Sequence, residues 1–119
     1  MKLLDKIYEN GQAVEYLVFN MKEELVRRFI ELDRAIWTEE LAKQAGFVSK
    51  EVWINKKKPG EVTTILYWNS LSEWKSIDHD WLIEVDKRFT AMMGDGSFTL
   101  KAIHEGNDFY RIRETIKES

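Results

Sequence analysis

Apolar and polar positions alternate in some stretches of this chain and recur every three to four residues in others, and these two rhythms lay out its elements. Residues 13–20, AVEYLVFN, read as a strand, with Ala13, Leu17 and Phe19 on one side and Val14, Tyr16 and Val18 on the other. Both sides are largely apolar. Asn20 then stands where a helix N-cap would, with Glu23 as its capping-box partner. Leu25, Phe29, Leu32 and Ile36 follow at helical spacing. Thr38 and the two glutamates after it allow a restart beyond a kink, and Gly46 marks the stop.

Residues 47–55, FVSKEVWIN, predict a second strand, with Val48, Val52 and Ile54 on one face and Phe47, Ser49, Glu51 and Trp53 on the other. Residues 56–60 form a polar loop in which Pro59 and Gly60 supply the turn chemistry. Residues 61–69 predict a third strand, antiparallel to the second, with Val62, Leu66 and Trp68 opposing Ile65 and Tyr67. Ser70 and Glu73 form a second capping box, opening a short helix through Trp74 and Ile77 that residues 78–80 interrupt. A longer helix carries Leu82, Val85, Phe89, Met92 and Met93 on one stripe and stops at Gly94. Two tail segments, FTLKAIHE and FYRIRETI, are each candidates for a fourth sheet strand, with a hairpin turn expected around Gly106 and Asn107. Residues 1–12 are expected to be a leader with one or two helical turns, closed by a turn at Asn10 and Gly11. Residues 13–119 make one domain.

The order is β-α-β-β-α-β, the α+β, ferredoxin-like split βαβ arrangement. Two helices cover one face of such a sheet, yet the first three strands are apolar on both. The second face needs a lid, and the simplest lid is the same face of a second copy in a symmetric homodimer.

Composition narrows the function. The 119 residues carry a net charge of -3 with both signs interspersed. Nucleic acid and anionic membrane are therefore poor partners. No apolar run approaches the roughly 20 residues that span a bilayer. A rival RNA-recognition fold has the same element order, but its aromatic signature belongs on the third strand among basic residues, whereas GFV here opens the second. The first twelve residues carry two acids and no long apolar stretch, so they do not read as a signal peptide. The chain has no cysteine, which removes disulfides and thiolate chemistry and fits a reducing, cytoplasmic setting. Five Trp, six Phe and four Tyr suit large buried areas and apolar ligand pockets.

The stretches AGFVSKEVW and EVTTILYWNSLSEW resemble the signature of antibiotic-biosynthesis-monooxygenase-like domains, in which Gly-Phe opens strand two and a strand-three Trp precedes a Ser-capped helix. IWTEELAKQAGFVSKEVW with WNSLSEWKSI is similar, more narrowly, to a small uncharacterised branch of that superfamily. The resemblance covers residues 13 to about 93. It implies a dimeric α/β barrel and relatives that oxygenate aromatic polyketides without metal or flavin, alongside haem-degrading ones. Counted from Trp68, the Trp and His of the haem-degrading relatives fall on Ile77 and Lys87, and Glu15 and Tyr16 stand near their strand-one Asn. A His that many relatives carry also falls on Ile77. No catalytic residue of the family carries over. The implied activity is a cofactor-independent oxygenase acting on a small aromatic substrate; the alternatives are a non-enzymatic small-ligand binder and a structural homodimeric module.

Candidate site residues follow from the pattern. Trp37, Trp53, Trp68 and Trp74 could line a pocket between sheet and helices, where a planar ligand would stack, though ordinary core or dimer interface is the commoner role for such residues. Asp33, Trp37 and Glu40 share a helix face by spacing. A carboxylate beside a pocket Trp suits a general base, so Asp33 and Trp37 are the catalytic candidates. Cofactor-free oxygenation needs such a base, because the substrate must become a carbanion before it passes an electron to oxygen. Lys50 and Glu51 alternate sides of strand two, so one faces inward and needs a partner. Glu51 joins the ligand-binding candidates Trp53, Trp68 and Trp74. His79 between two Asp is read as a helix-junction cap rather than a metal ligand, and no metal site is expected. Residues 56–58, three lysines, read as solvated loop.

Overall fold

The computed structural model describes residues 1–104 and 109–118. Strands β1 (Lys2–Met21), β2 (Phe47–Ile54), β3 (Glu61–Trp68), β4 (Phe98–His104) and β5 (Tyr110–Glu118) form one antiparallel sheet, in the order β2-β3-β1-β4 with β5 also on β1. The α+β, ferredoxin-like expectation holds. No helix among the described residues is long and apolar enough to cross a membrane.

β1 is longer than its pattern suggested. The supposed leader is strand rather than helical turns, because β5 supplies backbone partners along it: Lys2 pairs with Glu118, Ile7 with Arg113 and Ala13 with Tyr110. A few isolated helical turns have no such compensation for their ordering cost. Asn10 and Gly11 make no chain reversal. Gly11 sits at φ 75°, where the register slips between Ile7 and Gln12, and bends the strand instead. Both tail candidates are strands, but they line up along β1 rather than against each other: Met21 pairs with Phe98 and Tyr16 with His104 before β5 takes over. The hairpin expected at Gly106 and Asn107 lies outside the described residues. The outer part of β1 and β5 forms a two-stranded ribbon on which Leu3, Leu4, Ile7, Ile112 and Ile116 are exposed.

Asn20 is not a helix cap. Its backbone is committed to the ladder, opposite Glu61 and Thr99. The strand runs on to Met21, whose N–H donates to the Gly60 carbonyl at 2.9 Å. A 3-10 turn, Glu23–Leu25, then leads into α1 (Val26–Leu32), a π-helical turn (Asp33–Thr38) and α2 (Glu39–Leu41). The restart expected at Thr38 is where α geometry resumes. α3 (Leu71–Lys75) is capped as its sequence predicts, the Ser70 hydroxyl accepting from the Glu73 N–H at 3.1 Å. Asp78 caps α4 (His79–Met93) by accepting from Trp81 N–H. His79 is simply the first residue of α4. Val85, Phe89 and Met93 of α4 pack with Phe29 and Ile36 onto Met21 and Val62 of the sheet. Met92 is exposed and leaves the stripe.

One bulge decides the facing of β2. The register against β3 slips between Phe47 and Ser49. Phe47 therefore turns to the helix side, its ring meeting Trp68 edge-on at 5.6 Å, instead of sharing a face with Ser49, Glu51 and Trp53. Gly46 just before it serves close packing more than helix termination. A Cβ there would sit 2.5 Å from Cβ of Glu73 on α3.

Candidate active site

Between the helix-facing side of the sheet and the helices lies a cavity of about 290 Å³. Its walls are mostly apolar. Leu17 and Phe19 come from β1, Leu66 and Trp68 from β3, and Phe29, Trp37 and Leu41 from the first helical segment. Trp68 is fully buried and stacks on Trp74 of α3, centroids 6.4 Å apart and planes 5° from parallel. Its indole N–H donates to Glu15 Oε1 at 3.1 Å, which fixes the ring in its plane. Trp37 meets Trp81 edge-on at 6.5 Å. Three of the four tryptophans singled out in the sequence thus line one cavity, and Ile77 lines it too.

Asp33 enters the cavity from the π-helical turn and Lys50 from β2. The Lys50 ammonium lies 2.6 Å from Asp33 Oδ2, the side chains being 6% and 7% exposed. It also donates to the Thr38 hydroxyl at 3.2 Å. The ammonium is thus the charged partner of this enclosed oxygen. The π turn makes the arrangement possible. In an α-helix, residues five apart diverge by about 140°, whereas the wider turn brings Asp33 and Thr38 to one side, both against Lys50. Burial raises the Asp33 carboxyl above its ordinary value, and the Lys50 charge opposes that shift without cancelling it.

Other candidates fall elsewhere. Glu40, grouped with Asp33 and Trp37 by α-helical spacing, is turned out of the cavity by the change of pitch. It bonds Arg88 at 3.0 Å and Lys43 at 3.1 Å, which hold its carboxyl below its ordinary value. Glu51 and Trp53 lie on the opposite face of the sheet and are not cavity residues: with the bulge in place, Lys50 is the inward member of the pair. Trp53 is 51% exposed. Burial, then the neighbouring Glu51, raises the Tyr67 hydroxyl above its ordinary value.

That outer face holds a group the sequence reading missed. The Arg111 guanidinium lies over the Tyr67 ring at 3.8 Å and over the Tyr8 ring at 4.8 Å, and donates to Gln12 Oε1 at 2.9 Å. Val14, Tyr16, Ile65, Tyr67 and Tyr110 surround it in a shallow concavity. Only the pairing of the N-terminal stretch with the tail brings Tyr8 and Arg111 together, so no local pattern points to it.

Several solved structures resemble this one. The monooxygenase of Streptomyces coelicolor solved with nanaomycin D is 13% identical, with 92% of this chain and 90% of that one covered and a TM-score of 0.60. SnoaB, a cofactor-independent oxygenase from Streptomyces nogalater, is 12% identical over 92% of this chain and 94% of its own, TM-score 0.51. A dimeric ferredoxin-like protein from an uncultured marine organism is 16% identical over 76% and 87%, TM-score 0.57. No protein-family model and no curated protein matches the chain. The chain therefore has the fold of the antibiotic-biosynthesis monooxygenases, as its sequence resemblance implies.

Proposed function

We propose that this chain is a homodimeric, cofactor-independent oxygenase that acts on a small aromatic substrate in the cavity between sheet and helices. The observation that carries this reading is a buried carboxylate, Asp33, facing an apolar cavity walled by Trp37, Trp68 and Trp74. A base whose proton affinity is raised by burial, beside rings that hold a planar substrate, is what proton abstraction from an aromatic acid needs. The resulting carbanion passes an electron to dioxygen. A methylene then becomes a carbonyl as one oxygen atom enters the product and the other leaves as water. The two Streptomyces structures, a monooxygenase and a cofactor-independent oxygenase, support the same chemistry. The unaided sheet face with Trp53, and a marine structure of this fold described as dimeric, support the pairing. A cytoplasmic setting fits a chain without cysteine.

Ile77 supports a second reading, a non-enzymatic holder of an aromatic molecule, because it puts an inert side chain on the cavity wall where many resembling proteins carry His. A structural module with a filled interior has less support, given the cavity. Anthrone, whose methylene is acidic and flanked by rings, separates the first two. The oxygenase reading expects oxygen uptake with anthraquinone formed, abolished in Asp33→Asn and Trp37→Ala while both remain folded. Saturable tryptophan quenching without oxygen uptake would instead establish the holder.

A further inference from the structure

The cavity's charges are arranged in a way that an oxygenase of this fold does not by itself require. Four titratable side chains line it: Glu15 on β1, Asp33 on the π turn, Lys50 on β2 and Asp86 on α4. Lys50 is the one cation among the described lining residues. Glu15 is occupied by the Trp68 indole, and Asp86 belongs to an exposed part of α4. Asp33 and Lys50 alone are enclosed, and they face each other.

A buried ion pair is costly to disturb, since either partner left alone is an uncompensated charge in an apolar surrounding. A ligand that simply pushes Lys50 away from Asp33 would incur that cost. A ligand that arrives already ionised fares no better, because it would add an anion to a cavity with three carboxylates and one ammonium. A neutral ligand without an acidic proton leaves the pair alone and uses neither charge. One kind of ligand escapes all three penalties. A neutral hydroxyarene can give its O–H proton to Asp33 and set its own oxygen against Lys50. The cavity then holds one ammonium opposite one buried anion before and after the transfer, and no net charge enters or leaves.

We propose that Lys50 exchanges its counterion: the proton of a neutral hydroxyarene passes to the Asp33 carboxylate, and the arenolate oxygen takes the carboxylate's place against the Lys50 ammonium. The O–H bond breaks, its electron pair stays on the substrate oxygen, and the new O–H bond forms on Asp33. The substrate class is accordingly phenols and enols, and the cavity selects against neutral arenes and permanent anions. This rests on the reading of the cavity as an aromatic substrate site, and it deepens that reading. The geometry is suited to the exchange. Lys50 keeps its Thr38 contact while its anion changes, so the ammonium is held in place. Asp33 gives up its 2.6 Å contact with Lys50 as it takes the proton, and the arenolate replaces that contact.

The test uses para-nitrophenol, whose phenolate is yellow and whose phenol is not. Binding is followed by absorbance below the pH at which the free phenol ionises, and proton release by calorimetry in two buffers of different ionisation heat. The proposal expects the phenolate band to appear on binding to the wild-type protein with no proton released to solvent. Asp33→Asn should still give the band, now with about one proton released per ligand, since the acceptor is gone. Lys50→Met should lose the band, and Lys50→Arg should restore it. para-Nitrobenzenesulfonate, of similar shape but always anionic, should bind at least about tenfold more weakly, which corresponds to roughly 1.4 kcal/mol. Binding of the neutral phenol without the band overturns the exchange and leaves the aromatic site standing. The band with a proton released by the wild type overturns Asp33 as acceptor. Failure of para-nitrophenol to bind at all overturns both the exchange and the site. The wild-type measurement alone decides the matter if the Lys50 variants do not fold.

Discussion

Lys50 and Asp33 make a salt bridge of 2.6 Å in which neither partner reaches water to any extent. Pairs of this kind stabilise less than their geometry suggests, because desolvation offsets attraction, but removing one member is severe. Lys50→Met alone should therefore destabilise the fold by about 3–5 kcal/mol near neutral pH. The double replacement Asp33→Leu with Lys50→Met should recover most of that loss or exceed the wild type. Urea unfolding at fixed protein concentration measures both. A single variant as stable as the wild type would mean that water enters the cavity and screens the pair.

The same carboxyl has a pH signature opposite to that of the surface acids. Because burial raises its folded-state value above 3.8, the native protein holds the Asp33 proton more tightly than the unfolded chain does. Its contribution is thus fully present below 3.8 and is lost as pH rises through the folded value. Glu40 and Glu61 behave in the reverse sense. Their carboxyls are held low chiefly by hydrogen bonds from Arg88 and Lys101, so their contribution is present above 4.5 and lost as pH falls. Asp33→Asn should consequently make stability rise more steeply with pH across the window above 3.8 than it does in the wild type. Denaturation midpoints through that window read the difference, and parallel profiles would show that Asp33 keeps its ordinary value.

Trp53 stands half in water on the sheet face that lacks helices. If a second copy covers that face, Trp53→Asp should weaken pairing by about 2 kcal/mol or more, the scale of a buried interface tryptophan. The monomer should keep its fold, because the side chain is not part of the core. Sedimentation velocity across a dilution series would show the shift, and a variant that pairs as tightly as the wild type would place the interface elsewhere.

Gly46 lies so close to Glu73 that a methyl group has no room. Gly46→Ala should push α3 outward, destabilising by about 1–3 kcal/mol as overpacked sites do. Because α3 carries Trp74, the stacking on Trp68 should loosen as well, visible as a change in near-ultraviolet circular dichroism. An unchanged spectrum would show that the Glu73 side chain yields instead.

Much of this was legible in the chain because it depends on short-range pattern. The alternation of β1 and β3 sorted Leu17, Phe19, Leu66 and Trp68 from Val14, Tyr16, Ile65 and Tyr67 correctly, and Ser70 with Glu73 marked the start of α3. Asp33, Trp37, Trp53, Trp68 and Trp74 were read into one pocket, and all but Trp53 line the cavity. What escaped has a common cause: each is a departure from ideal pitch or a pairing between distant parts. The π turn removed Glu40 from the face that α-helical spacing assigns it. The bulge in β2 carried Phe47 across the sheet and made Lys50, not Glu51, the inward charge. The N-terminal stretch reads as two weak helical turns until the tail is laid beside it, and the Tyr8–Arg111–Tyr67 stack exists only through that pairing.

The slip between Phe47 and Ser49 acts as a parity switch on the cavity's chemistry. Side chains on a strand can only be odd or even, so one residue more or less at that point cannot be absorbed gradually. Deletion of the extra residue leaves the strand two outcomes. Either Phe47 abandons Trp68, or the downstream half reverses and presents Glu51 to the cavity while Lys50 goes to the outer face. The second outcome would make every charged side chain among the described lining residues acidic, with hardly a change in composition. In this chain a single-residue deletion at the start of β2 can therefore reverse the charge offered to a ligand without any substitution on the cavity wall.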